Sequence, residues 1–99
     1  MTLTAEQIQV MSHALGLPSQ DEATRAKHRS TDDCYRNYFL TGSDGDDYRT
    51  LMQLKERGFV THRHLKAGFA ATEMFHVTED GFEVLLREGH VSKQQELPL

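Results

Sequence analysis

Apolar residues recur at Ile8, Met11 and Leu15, a helical spacing on one face, behind a Thr4/Gln7 pair spaced as a capping box. Leu3 stands just ahead of the cap, placed to pack on Ile8 as a hydrophobic staple. Gly16, with Pro18 two residues on, supplies a left-handed stop and a barrier to continuation, so the spacing predicts a first helix from Thr4 to about Leu15. Ser19 to Asp33 is polar almost throughout, its only apolar residues being scattered alanines. With no period to bury, it reads as an exposed connector. Cys34 to Leu40 is the reverse: Tyr35, Tyr38 and Phe39 must pack on something, as a short helix or as an extended segment.

From Thr41 to Asp47 the glycines and aspartates are turn chemistry running into a helix start, and the helix extends to about Arg57. Tyr48, Leu51, Met52 and Leu54 form its apolar side, Arg49, Gln53, Glu56 and Arg57 lie toward the other, and Gly58 ends it. Phe59 to Leu65 and Ala71 to Val77 read as two strands of a hairpin joined through Lys66, Ala67, Gly68 and Phe69. Thr78 then caps a last helix with Phe82, Leu85 and Leu86 on one face and Gly89 at its end, and Lys93 to Leu99 read as a frayed tail. The expected fold class is α+β, helices packed with a small antiparallel hairpin, in one domain over residues 1–92 with a flexible tail at 93–99.

The run of helix, Gly58, Phe59, Val60, hairpin, then Phe75, His76, Val77, Thr78, Glu79, Asp80, Gly81 and an amphipathic helix resembles the C-terminal half of winged-helix proteins. That likeness covers Asp47 to Leu86 and implies a winged-helix-like fold in which Asp47 to Arg57 takes the place of the recognition helix and the hairpin that of the wing. The chain is also similar to small uncharacterised phage and prophage proteins. The likeness rests on His13 to Leu17, Tyr35 to Phe39, the Gly42 to Asp47 loop and Phe75 to Gly81. Those proteins usually carry histidine where this chain has Tyr38, and the likeness brings no established activity with it.

With 99 residues, 37% of them hydrophobic, the chain has room for one core of modest stability, to which a second copy would add. Cys34 is the only cysteine, which excludes an internal disulfide and a thiolate zinc site within one chain. Residues Met1 to Gln20 lack the basic start and apolar run of a signal peptide, and no stretch is apolar enough to span a membrane, so a cytoplasmic protein is expected. Fifteen acids against 11 bases give a net charge of −4, which disfavours a partner bound mainly through phosphates. The bases are uneven, however: Arg57 to Thr72 contains no acid at all.

Five residues are candidates for nucleic acid: Arg49, Gln53 and Arg57 on the helix and Arg63 and Lys66 on the wing. Against them stand Asp44, Asp46 and Asp47 at the helix start, and a loop where a helix-turn-helix needs its other helix. His62 and His64 share one face of a strand, and His76 would join them for zinc if the register placed it opposite His62. The aspartates are not an EF-hand loop, because Arg49 falls where glycine is required and Lys55 where glutamate is. Cys34 lies among Asp32, Asp33 and Tyr35, in company that raises a thiol's pKa, and no nucleophile elbow, phosphate loop or metalloprotease motif is present. The expectation is a non-enzyme without cofactor that works by protein contact, self-association included, through Tyr35, Tyr38 and Phe69. The alternative is a dimeric DNA-binding regulator, and a weaker one a small metal-dependent enzyme built on the histidines.

Overall fold

In the computed structural model, which describes residues 2–66 and 72–92, Thr4 opens α1 (Ala5–Leu15). Its hydroxyl accepts from the Gln7 N–H at 3.1 Å while the Gln7 side chain accepts from the Thr4 N–H at 2.9 Å, so the predicted capping box is formed. Gly16 ends the helix at φ 67°, the left-handed conformation that its missing Cβ permits. The apolar face is wider than Ile8, Met11 and Leu15: Val10 and Ala14 are buried too, and Ile8 is only partly so.

The stretch expected to be an exposed connector is built instead from a 3₁₀ turn (Leu17–Ser19), a short helix α2 (Glu22–Arg25) and a second 3₁₀ turn (Thr31–Asp33). It has no apolar period because polar bonds hold it. His28, 3% exposed, bonds Gln20 at 2.8 Å, Thr31 donates to Glu79 at 2.7 Å and Ser92 to Glu22 at 2.7 Å.

The aromatic segment that follows is extended and leads into β1 (Phe39–Thr41). Next come α3 (Asp46–Glu56), β2 (Val60–His64), β3 (Glu73–Val77) and α4 (Glu79–Arg87), the helix-hairpin-helix order expected from the sequence. The connection from Ala67 to Ala71 and the tail from Lys93 lie outside the described residues. The helix before the hairpin starts on Gly45 with no side-chain cap, so Asp46 and Asp47 act in its first turn rather than as the cap. Thr78 caps α4, accepting from the Gly81 N–H at 3.0 Å.

β3 is the middle of a three-stranded antiparallel sheet in the order β1-β3-β2. Phe39, Phe75 and His62 lie opposite one another, as do Thr41, Glu73 and His64, so by strand alternation these six share one face. On that inner face Phe75, Val60 and Val77 join Met11, Leu15, Leu17, Leu51, Leu54, Phe82 and Leu85 in one core, with Phe59 packed against it. Each such large side chain removed from water contributes about 1.5–3 kcal/mol. The molecule is thus α+β, with helices on one side of the sheet, and none of the described helices is long and apolar enough to cross a membrane.

Candidate functional site

Residues 35–38 reach β1 across the end of α1, where carbonyls have no partner within the helix. The Arg36 N–H donates to Leu15 O at 3.3 Å, the Tyr38 N–H to Ala14 O at 3.0 Å and the Arg36 guanidinium to His13 O at 2.9 and 3.1 Å. Asn37 prolongs the sheet with its side chain: Nδ2 donates to Val77 O at 2.9 Å and Oδ1 accepts from the Val77 N–H at 2.8 Å. The backbone is therefore pinned while its large side chains are not covered. Tyr35 is 62%, Tyr38 44% and Leu40 45% exposed, and these are the only exposed large hydrophobic residues among those described. Phe69, the third predicted contact residue, lies outside the described residues.

The second face of the sheet carries the alternate residues: Leu40, Met74 and Arg63 in one row, Thr61 and His76 in the next. Leu40 and Met74 were not singled out in the sequence. Alternation about the buried Phe75 signals Met74, but only the pairing with β1 brings Leu40 beside it.

The five candidate residues for nucleic acid have different surroundings. Arg49 pairs with Asp46, and with Gln53 it lines a hollow that also contains Glu6 and Asp46. Arg57 stacks over Phe59 with its guanidinium carbon 4.9 Å from the ring centre. Arg63 points from the sheet face opposite to His62, and His62 is the residue that meets α3, through Tyr48 and Lys55. Lys66 is exposed beyond the end of β2.

The three histidines do not converge either. His76 lies opposite Thr61, not His62, and so leaves from the other face, while Phe75 fills the place expected of it. Glu73, opposite His64, lies between the other two histidines. One carboxylate oxygen meets His62 Nε2 at 2.5 Å and the other His64 Nδ1 at 2.6 Å. His62 stacks on Phe75 with centroids 4.7 Å apart, and the Lys55 ammonium lies 3.4 Å from its Nδ1. Glu73 is only 3% exposed, and the hydrogen bond from His62, aided by that from His64, holds its carboxyl below the usual carboxylate range despite the cost of burial. Its oxygens are spent on the two imidazoles, and no group of three histidine, cysteine, aspartate or glutamate side chains among the described residues is arranged to hold a metal ion.

Burial above all, with Asp33 and Glu79 nearby, pushes the Cys34 thiol up to about 11, so it stays protonated and unreactive at neutral pH. No protein-family model, curated protein or solved structure matches the chain.

Proposed function

We propose that this chain is a small acidic protein-contact module with a winged-helix-like fold, of the phage and prophage type, and that it presents residues 35–40 to a protein partner. The strand order β1-β3-β2 and the sequence helix, hairpin, capped helix support the winged-helix reading. In it the Gly42 to Gly45 loop stands where a helix-turn-helix has its other helix.

The observation that carries the function is the exposure of Tyr35, Tyr38 and Leu40 on a backbone fixed to α1 and β3. Aromatic side chains held ready on a fixed backbone make contact at little cost in ordering. DNA binding has less support: Asp46 and Asp47 occupy the N-terminal turn of the helix that would enter a groove, and Arg49 is already engaged by one of them.

The test uses the whole protein as bait beside a Tyr35→Ser, Leu40→Ser variant whose circular dichroism matches it. A partner protein retained by the first and lost by the second is expected. Binding of a labelled duplex that weakens steeply with salt would overturn the reading in favour of a regulator.

A further inference from the structure

The described strand residues put no carboxylate on the sheet face turned away from the helices, in a chain of net charge −4. Leu40, Met74 and Arg63 cross it in one row and Thr61 and His76 lie beside them. Among the described strand residues the one acid is Glu73, which faces the other way and is held there by His62 and His64. Arg63 is exposed, and so is Lys66 two residues beyond β2. The described helices contribute their buried side chains to the core on the opposite side.

We propose that this face binds an acidic segment of a partner protein in which an apolar side chain stands beside carboxylates. The apolar side chain covers Leu40 and Met74, and a carboxylate meets Arg63. This rests on the protein-contact reading above and adds the chemistry of the partner.

Three features select this occupant. An arginine with no ion pair among the described residues, beside half-covered aliphatic side chains, complements an acidic and apolar segment in both charge and hydrophobicity. Nucleic acid is a poorer match, since one arginine neutralises few phosphates and acids elsewhere on the molecule repel the rest of the strand. A second copy is poorer as well, because a two-fold pairing of this face brings two Arg63 side chains into one interface without a carboxylate to meet them.

Short random peptides displayed on a library are selected on the full chain, and the enriched peptides are measured by fluorescence anisotropy against wild type, Arg63→Glu, Leu40→Asp and Tyr35→Ser. These positions are exposed, and circular dichroism confirms that each variant folds. Peptides with Asp or Glu next to an apolar residue are expected. Their affinity should fall about tenfold in Arg63→Glu, weaken with added salt, and be lost in Leu40→Asp.

Enriched peptides without acids overturn the proposal. So do peptides indifferent to Arg63→Glu and Leu40→Asp but lost in Tyr35→Ser, an outcome that leaves protein contact through Tyr35 standing. A dimer in sizing runs that Leu40→Asp dissolves makes the face a self-interface and overturns it. The absence of any enriched peptide also overturns it. Duplex binding lost in Arg63→Glu removes this proposal and the protein-contact reading together.

Discussion

Gly81 sits where α4 meets the start of β2, and a methyl group there has nowhere to go. An added Cβ would stand 2.2 Å from Phe59 O, 2.9 Å from Val77 Cγ1 and 3.0 Å from Met11 Cε. The first of these atoms is backbone, and the Thr78 N–H already donates to it at 3.0 Å, so it cannot swing aside as a side chain would. Gly81→Ala is expected to lose about 1–3 kcal/mol despite alanine's better helix propensity. Thermal unfolding checks this, with a fall of about 4–8 °C per kcal/mol for a domain of this size. Glu73 is a different kind of constraint, an ion in the sheet kept charged by two imidazoles. Its folded pKa lies below the unfolded value, so its contribution is present above about pH 4.3 and is lost as pH falls through the folded pKa. Glu73→Gln should therefore flatten the decline in stability over that acidic window while lowering stability at neutral pH. Urea titrations of both proteins at a series of pH values measure it, and parallel curves would show that the carboxylate is not the group responsible.

Among the elements, those with an apolar period were readable and those held by polar bonds were not. α1 carries its start in Thr4 and Gln7, α3 its buried side in Leu51 and Leu54, and α4 its cap in Thr78, each a local signal that packing then reinforced. β1 had no such signal. Its three residues form a strand because β3 offers an edge, and Asn37 supplies in its side chain the two bonds that a further backbone residue would have made. Residues 19–33 misled for the same reason: the groups that fix them, Gln20 with His28 and Thr31 with Glu79, are polar pairs whose meeting depends on the tertiary fold. The site was legible in part. Tyr35 and Tyr38 announced themselves as aromatics on a polar background, whereas the Glu73 bridge and the Leu40, Met74, Arg63 row depend on a strand register that spacing alone does not fix. Asn37→Ala tests how much β1 depends on its neighbour. It strips Val77 of both backbone partners at that point, and a loss of about 1–3 kcal/mol is expected, with amide exchange at Leu40 and Thr41 rising more than at Thr61 or Arg63. Equal effects on the two edges would mean that the amide only tethers the sheet generally.

Across the whole molecule these two modes of attachment divide the stability unevenly. The sheet and the three long helices share one core in which Met11, Leu51, Phe75, Phe82 and Leu85 have almost no contact with water, so none of them can open without exposing the others. α2 and its flanking turns contribute no side chain to that core apart from Leu17 at its beginning. Their attachments are hydrogen bonds that water can replace, each worth only about 0.5–1.5 kcal/mol net. Native-state hydrogen exchange should consequently separate two classes of amide. Those of Leu54, Phe75 and Leu85 exchange only with global unfolding and follow its dependence on denaturant, while those of Ala26, Lys27 and His28 exchange through a local opening that denaturant barely affects. His28→Ala removes the buried link to Gln20 and should speed the second class while leaving the first within a few tenths of a kcal/mol. If the amides of residues 26–28 instead track the core in both proteins, the polar bonds are as cooperative as the apolar packing and the molecule opens only as a unit. The division bears on function, because it runs through the contact segment: Phe39 packs against the core and Asn37 ties its neighbours to β3, whereas the Tyr35 N–H is bonded to Gln20 on the less stable side, so a partner meets the Tyr38 and Leu40 end already formed.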